Sequence, residues 1–300
     1  MPTENRKTTS QKSARLGTLC PSRTSVHVPC PPRAITLGPC RPLAGKVAAV
    51  TGGSRGSERC RARARDARGH RLVTGRSSDD LQVLGKGIAG IVCDHRVDDQ
   101  VDGAFQRIAR EAGGIDILVN NVWGGYERMI DDGAFTWAKP FWEQPLWRWD
   151  AMFSRGRSRA LSGESAGDLG MIARGRGLIV NISFWAAQKH IGNVAYGVSK
   201  AATDKMTADM AKELEPHGVA VVSLYPGLVR TEKVMEAAAW LDMSNSESPE
   251  FVGRAIAALA GDADVLRHTG KVLVAAALGR EYGFADIDGR SPRPLTLADV

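Results

Sequence analysis

The sequence predicts an α/β domain whose doubly wound parallel sheet has about seven strands, with helices on both faces. Seven short apolar runs recur along the chain, and most are separated by segments long enough for a helix. The runs are almost continuously apolar, which is typical of strands covered on both faces. Strands that alternate with helical segments indicate a parallel sheet with right-handed crossovers. The runs are 46–50, 71–74, 88–93, 115–119, 178–182, 219–224 and 271–274.

Four of the intervening segments are informative about the crossover helices. Residues 101–110 and 195–215 carry apolar residues at helical spacing, and both are predicted to be helices. By contrast, residues 57–69 are almost entirely Arg and Ala with acidic interruptions, and residues 154–170 contain four glycines. Each Gly costs a helix about 1 kcal/mol relative to Ala. Both segments depart from the surrounding pattern, and either real divergence or a reading-frame error in the recorded sequence would produce that departure.

The positive charge of the chain is local and does not indicate a polyanion-binding surface. The 300 residues carry a net charge of +7, but residues 1–43 and 55–76 each contribute +6, so the remainder is acidic. A nucleic-acid-binding protein normally spreads its basic residues over a folded face. No apolar run approaches the roughly 18 residues that a membrane span needs. We therefore expect neither a nucleic-acid partner nor a membrane.

Residues 1–43 differ from the rest of the chain in composition. They are rich in Pro, Ser, Thr and Arg and show no hydrophobic period. Such a segment buries too little apolar surface to offset its ordering entropy, so we predict a disordered extension and a single domain over 44–300. A transit peptide is the alternative, although the prolines oppose an amphipathic helix. The corresponding location is cytoplasmic, or organellar for a transit peptide.

The five cysteines favour neither a metal site nor a disulfide framework. Three lie in residues 1–43, the other two are isolated, and no C-x-x-C pattern occurs. An odd number without such spacing predicts no zinc site and is consistent with a reducing compartment.

A glycine-rich turn directly follows the first predicted strand. Its sequence is Thr51-Gly52-Gly53-Ser54-Arg55-Gly56. Glycines at this position let the backbone approach a pyrophosphate at a helix N-terminus. Alone the signal is weak because many loops contain two glycines, but its place between a strand and a helical segment strengthens it.

The segment after the fifth strand carries candidate acid–base chemistry. Tyr196 and Lys200 are four residues apart, hence on one face of a helix, and Ser183 lies just past the strand. A phenol is a poor acid–base group at neutral pH, but a neighbouring ammonium favours the phenolate and lowers its pKa. The Ser hydroxyl would hold the oxygen of a small carbonyl or alcohol substrate. An ordinary helix pair is the alternative for Tyr196 and Lys200.

Together these motifs resemble the short-chain dehydrogenase/reductase family over roughly residues 44–290. The glycine turn, an Asp after the third strand, Asn120-Asn121 after the fourth, and the Ser, Tyr and Lys occur in the family's order and near its spacing. Pro226-Gly227 and Thr231 follow the sixth strand in the same way. Residues 141–145 and 286–290 are further similar to one subgroup of that family. The resemblance implies a Rossmann-type fold and an oxidoreductase that interconverts a carbonyl and an alcohol by hydride transfer.

The resemblance also implies roles for individual residues. Ser183, Tyr196 and Lys200 would be catalytic, and Lys200 would also bind the nicotinamide ribose. Asp94 would meet the adenine and Asn121 the adenosine ribose. The full set of implied coenzyme-binding residues is Gly52, Ser54, Arg55, Gly56, Arg76, Asp94, Asn121, Lys200, Pro226, Gly227 and Thr231.

Two arginines indicate which dinucleotide would bind. Arg55 lies in the glycine turn and Arg76 follows the second strand, where NAD-specific proteins usually carry an acid for the ribose 2′-hydroxyl. Arginine suits a 2′-phosphate instead, so the sequence predicts NADP(H) over NAD(H). The alternative is that both arginines merely face solvent.

Some positions depart from the family pattern and leave a second hypothesis open. Glu58 replaces the third glycine of the turn, and a carboxylate is electrostatically unfavourable near a pyrophosphate. Gly156 falls at or near the position of an Asn on the central helix. The family uses the 154–170 region at a dimer interface, so a homo-oligomer is implied, but a glycine-rich replacement would abolish that contact. A catalytically impaired dinucleotide-binding homologue is therefore the alternative.

An aromatic cluster precedes the predicted central helix. Its members are Trp137, Phe141, Trp142, Trp147 and Trp149. Such a cluster would line an apolar substrate cleft, and ordinary packing or a subunit contact is the equal alternative.

Overall fold

The structure is a computed structural model, and it describes residues 43, 45–53, 71–82, 87–125, 129–131, 133–154 and 166–300. The predictions for residues 1–42 and for the 57–69 segment therefore lie outside the described residues. So does the 155–165 part of the 154–170 segment.

Seven parallel strands form one sheet, as the apolar runs predict. The strands are β1 Ala48–Thr51, β2 Arg71–Gly75, β3 Ile88–Val92, β4 Ile117–Asn120, β7 Gly177–Ile182, β8 Val219–Tyr225 and β9 Val272–Val274. Their spatial order is β3-β2-β1-β4-β7-β8-β9. The order reverses between β1 and β4, where Thr51 pairs in register with Asn120. Ligands of open parallel sheets bind beside the carboxyl ends of the strands at such a reversal.

A short antiparallel pair escaped the sequence analysis. It consists of β5 Ile130–Asp131 and β6 Ala134–Phe135. Each strand has two residues, which is too short to show an apolar period.

Eight α-helices accompany the strands in the described part of the chain. They are α1 Ser78–Gln82, α2 Asp98–Ala112, α3 Leu146–Ser154, α4 Ala166–Arg174, α5 Val194–Leu214, α6 Glu232–Glu236, α7 Pro249–Gly261 and α8 Ala275–Tyr282. The two predicted helices are confirmed as α2 and α5. Although its first residues fall in the glycine-rich 154–170 segment, α4 is helical.

Alternating strand residues fill two separate cores, one on each face of the sheet. Leu118, Ile179 and Val221 pack against α2 residues such as Phe105 and Ile108. Their chain neighbours turn to the other face, where helices α7 and α8 cover them. Burial on both faces explains why the strands read as continuous apolar runs.

Helix α5 is present where predicted, but its apolar face is only partly buried. Ala211 is buried and Met210 and Leu214 pack against the core, whereas Val198 is 44% exposed. The other buried residues of the helix are Tyr196, Ser199, Lys200 and Thr207. The helix begins at Asn193, whose side chain accepts a hydrogen bond from the backbone N–H of Tyr196 at 3.0 Å. A largely polar face is thus packed inward, which is costly unless its groups are paired.

Helix α5 ends before a proline and a glycine. Pro216 lies in a short 3-10 turn, and Gly218 caps it with φ +72°. A Cβ at Gly218 would lie 2.3 Å from the carbonyl oxygen of Gly175, so only glycine fits this approach to the start of β7.

Candidate active site

Strand β7 and helix α5 bring Ser183, Tyr196 and Lys200 into one buried cluster. Ser183 follows the last residue of β7 directly, and its hydroxyl donates to the backbone carbonyl of Lys200 at 3.3 Å. Tyr196 and Lys200 lie one turn apart at the start of α5. All three are less than one-tenth exposed. The side chains of Tyr196 and Lys200 therefore share one side of α5, next to the carboxyl end of β7.

The Lys200 ammonium is held between a carbonyl group and two aromatic rings. Its Nζ donates to the carbonyl of Ile182 at 3.1 Å and lies 4.2 Å from the Trp123 ring centroid. The Tyr196 ring centroid is 5.7 Å away, within cation–π range. Burial lowers the pKa of Lys200 to about 8, against the opposing effect of the Asp204 carboxylate. A lysine in this state exchanges its proton close to neutrality.

Tyr196 sits in an aromatic enclosure. Its ring meets Trp123 edge-on at a centroid separation of 5.4 Å, Trp137 at 5.2 Å, and Phe184 at 6.2 Å. Trp123 lies two residues after Asn121, and its ring contacts both Tyr196 and Lys200. Trp123 thus adds an apolar wall to the site.

The predicted aromatic cluster splits between the site and the surface. Trp137 packs on Tyr196, and its carbonyl accepts a hydrogen bond from Asn193 at 3.1 Å. Phe141 and Trp142 are largely exposed and pack against each other edge-on. The interpretation as a cleft lining is therefore supported only for Trp137.

Asp204 is a residue that the sequence analysis missed. It lies one turn after Lys200 on α5, and its carboxylate accepts hydrogen bonds from Ser223 at 2.8 Å and from the Tyr225 hydroxyl. Gln188 donates to the same Tyr225 hydroxyl at 3.2 Å. Burial and the Asp204 carboxylate both raise the pKa of Tyr225 well above its ordinary range, so it stays protonated. The i, i+4 spacing from Lys200 was the available signal.

A buried chain of side-chain hydrogen bonds continues from this point across the sheet. Ser223 Oγ lies 2.9 Å from Thr207 Oγ1, which accepts from Asn181 at 2.8 Å. Asn181 in turn accepts from Asn120 at 2.8 Å. The chain links β8, α5, β7 and β4 below the site. Buried hydrogen-bond networks of this kind hold side chains rigidly.

The glycine turn lies at the reversal point of the sheet. Gly52 has φ +65°, and a Cβ there would lie 2.8 Å from the Cα of Val122. Its N–H donates to the Thr74 hydroxyl at 3.2 Å, and the N–H of Gly53 donates to the Thr74 carbonyl at 3.0 Å. Asn121 donates to the carbonyl of Gly52 at 3.4 Å. Only a glycine allows this close approach of the β1 and β4 loops.

The rest of the predicted turn cannot be compared with the structure. Ser54, Arg55, Gly56 and Glu58 lie outside the described residues.

Asp94 and Arg76 lie near each other at the ends of β3 and β2. Asp94 accepts hydrogen bonds from the Arg96 side chain at 3.0 Å, and this pairing with Arg96, helped by the positive charge of Arg76, lowers its pKa to about 2. Arg76 is exposed. The two residues predicted to meet the adenosine are thus close to each other, and the Asp94 carboxylate is hydrogen-bonded to Arg96.

His95, the residue after Asp94, supports the glycine turn through Thr74. Its Nε2 lies 2.6 Å from the Thr74 hydroxyl that holds Gly52, and burial lowers its pKa to about 4. The imidazole is therefore neutral at physiological pH. Sequence reasoning missed it because a single His carries no spacing signal.

Pro226, Gly227 and Thr231 lie at the carboxyl end of β8. Pro226 and Gly227 line a cleft together with Trp185, which packs edge-on against Tyr225. The Thr231 hydroxyl accepts from the N–H of Val234 at 3.4 Å and so caps α6. These residues continue the row of strand ends that carries Gly52, Asn121 and Ser183.

Comparison with known proteins decides the family. A family model described as short chain dehydrogenase matches residues 46–242. The chain belongs to the short-chain dehydrogenase family. The mouse protein dehydrogenase/reductase SDR family member 1 is 39% identical over 277 residues, which cover 83% of this chain and 85% of that protein. The human protein of the same name is 37% identical and covers 86% and 89%. The predicted family and subgroup resemblance is confirmed.

The fold agrees with the same assignment. A solved short-chain type dehydrogenase/reductase from Mycobacterium marinum superposes with a TM-score of 0.63 at 27% identity, covering 77% of this chain and 94% of the other. The predicted Rossmann-type parallel sheet is therefore confirmed. The protein is therefore an oxidoreductase of the short-chain dehydrogenase type.

None of the described helices combines the length and apolarity that crossing a bilayer requires.

Proposed function

We propose that this short-chain dehydrogenase is an NADP(H)-dependent enzyme that interconverts a small carbonyl compound and its alcohol. The observation that carries the proposal is the buried arrangement of Ser183, just past the carboxyl end of β7, with Tyr196 and Lys200 at the start of α5. The hydride is supplied or accepted by the nicotinamide dinucleotide when it is bound.

The described residues fit such a dinucleotide. Gly52, with its positive φ and the 2.8 Å approach of Val122, leaves the first turn without a side chain where a pyrophosphate would lie. Asn121 packs against this turn, and Pro226 and Gly227 lie farther along the same row of strand ends. An extended dinucleotide would run along this row of strand ends.

Within the site, we assign the proton to Tyr196. The phenol would give its proton to the substrate oxygen in reduction and take it back in oxidation. The Lys200 ammonium, whose Nζ lies 5.7 Å from the Tyr196 ring centroid, favours the phenolate electrostatically. Ser183 would donate a hydrogen bond to the substrate oxygen, releasing its present bond to the Lys200 carbonyl.

The preference for NADP(H) follows from the charge at the adenosine end. Arg76 is exposed at the end of β2, and the carboxylate beside it, Asp94, is paired with Arg96. An exposed arginine at the end of the second strand is suited to a ribose 2′-phosphate. Trp123, Trp137 and Phe184 surround the Tyr196 ring, and this apolar lining would favour an apolar carbonyl compound as the substrate.

The test has two parts. The purified protein is titrated with NADPH and NADH, and we expect tighter binding of NADPH. A panel of aldehydes and ketones is then supplied with the coenzyme that binds. Absence of binding by both dinucleotides would favour the alternative, an impaired homologue.

A tyrosine variant tests the chemistry directly. Tyr196→Phe removes only the hydroxyl, and we expect turnover to fall by roughly 10²–10⁴-fold while NADPH affinity stays the same. Tyr282→Phe is the matched control because Tyr282 is equally buried but lies on α8, bonded to Arg267 at 3.0 Å. Unchanged turnover in Tyr196→Phe would refute the assignment.

A further inference from the structure

Glu247 lies directly behind the loop that follows β8. Its backbone N–H donates to the carbonyl of Leu228 at 2.9 Å, and its carbonyl accepts from the N–H of Arg230 at 2.9 Å. Val229 and Glu247 form a parallel bridge. The segment around Glu247 is therefore attached by its main chain to the loop that carries Gly227.

The Glu247 carboxyl is buried against Gly227 itself. Glu247 is 1% exposed, and its Oε2 would lie 3.1 Å from a Cβ placed on Gly227. Both residues line the cleft that also contains Pro226, Trp185 and Asn245. Neither carboxyl oxygen makes a geometrically defined hydrogen bond within the described residues, although the nearby backbone N–H of Gly227 acts to lower the pKa of Glu247. An unpaired buried acid is costly and marks a position that needs an explanation.

The charged groups around Glu247 leave it without a counter-ion of its own. Arg230 is paired with Asp286 at 3.0 Å, and Asp286 also accepts from the backbone N–H of Ser248 at 2.8 Å. Arg293 lines the same cleft, but its guanidinium is paired with Asp299. Burial is the main cause that raises the pKa of Glu247 to about 8; Asp286 adds to it, and Gly227 and Arg230 oppose it.

We propose that Glu247 is the electrostatic partner of the nicotinamide ring, and that its carboxylate favours the positively charged oxidised ring over the neutral reduced one. The inference rests on the proposed function, because it places the ring beside Pro226 and Gly227. A cation that arrives next to a protonated buried carboxyl lowers its pKa and expels its proton. Binding of the oxidised coenzyme at pH 7 to 8 then releases a proton from Glu247, whereas binding of the reduced coenzyme does not.

The sign of the pH dependence follows from the same charges. The carboxylate is present above about pH 8, so the affinity for NADP⁺ relative to NADPH rises as the pH increases through that value. Lys200, which also titrates near pH 8, acts in the same direction because its loss of charge removes a repulsion. A variant that removes only the Glu247 contribution is therefore required.

Glu247→Gln is the decisive variant because glutamine resembles the protonated acid in shape. NADP⁺ and NADPH are titrated into weakly buffered protein between pH 6.5 and 9, and both proton release and Kd are measured. Relative to wild type, we expect Glu247→Gln to release fewer protons with NADP⁺. We also expect it to bind NADP⁺ about tenfold more weakly at pH 9, the loss that corresponds to a change of one unit in the pKa of Glu247. Its affinity for NADPH should stay within about twofold, which also shows that the variant is folded.

Two further variants complete the test. Glu250→Gln alters another buried glutamate one helical turn away on α7, outside the residues that line the cleft, and we expect wild-type behaviour. Glu247→Asp keeps a carboxyl group and should restore part of the proton release. Proton release by Glu247→Gln equal to that of wild type would overturn the inference while leaving the proposed function intact. If wild type binds neither dinucleotide, the proposed function fails, and this inference fails with it.

Discussion

The two halves of the sheet hold their acidic groups in different surroundings. On the β2–β3 side, Asp94 is neutralised near the surface by Arg96, whose side chain is 49% exposed. On the β7–β8 side, Asp204 is enclosed by Ser223 and Tyr225, and its charge acts on the buried Lys200. Water and salt screen the first arrangement strongly and the second weakly. The β2–β3 side is thus suited to attracting a charged ligand, and the β7–β8 side to shifting the pKa of a buried group.

The strongest test of this contrast is Lys200→Met, which removes the buried charge. We expect turnover to fall by at least about 10²-fold, because the phenol loses its neighbouring ammonium. The same substitution should, by contrast, remove a cost to the free energy of folding, because the buried charge is unfavourable at neutral pH. Burial lowers the pKa of Lys200 from 10.5 to about 8, so the folded state is penalised below pH 8 and relieved as the pH rises toward 10.5.

The stability difference between wild type and Lys200→Met should therefore change with pH. From pH 7 to pH 10.5 we expect wild type to gain on the order of 3 kcal/mol relative to the variant. Urea unfolding across that range measures it, and the comparison cancels the lost hydrogen bond to Ile182. A pH-independent difference would show that Lys200 keeps its ordinary proton affinity in the folded protein.

Asp204→Asn tests the carboxylate that acts on the buried Lys200. The Asp204 carboxylate raises the pKa of Lys200, so its removal lets Lys200 lose its proton at lower pH. We expect the alkaline limb of the pH–kcat profile to move down by about one pH unit, with kcat reduced roughly tenfold. Asp209→Asn, an exposed position farther along α5 paired with Lys205, is the control. A displaced profile in both variants would point to a general effect of charge on the helix.

Arg76→Gln tests the exposed half, where the smallest effect is expected. Removal of one solvent-accessible charge should weaken NADPH binding by up to about tenfold and leave NADH binding unchanged. The loss should shrink at high salt because the interaction is screened. Arg110→Gln, an exposed arginine in the last turn of α2, serves as the reference. Equal losses for NADPH and NADH would mean that Arg76 does not recognise the 2′-phosphate.

The positions of Gly52, Ser183, Tyr196 and Lys200 were accessible from the sequence because each depends on local geometry. The glycine is required by a turn directly after a strand, and Tyr196 and Lys200 share a face because four residues make one helical turn. The strand runs were equally readable, since burial on both faces leaves an uninterrupted apolar pattern.

The partners of these residues were not accessible in the same way. Trp123, which meets Lys200, is 77 positions away in the chain, and Tyr225 reaches Asp204 from a different strand. The apolar pattern of α5 predicts its buried face only in part, because Ala211 is inside as expected but Val198 is exposed and the polar Thr207 is buried. Such contacts depend on how the elements pack, and no short-range period encodes them.

The sequence was sufficient to identify the family, the seven strands of the main sheet and helices α2 and α5, and to propose the three side chains of the acid–base site. The proton affinities depend on the assembled structure. Lys200 titrates near pH 8 because packing excludes water from it, and Glu247 holds its proton because the fold buries it against Gly227 without a partner. Desolvation is a property of the surroundings that all neighbouring elements create together, so it arises only once they are assembled.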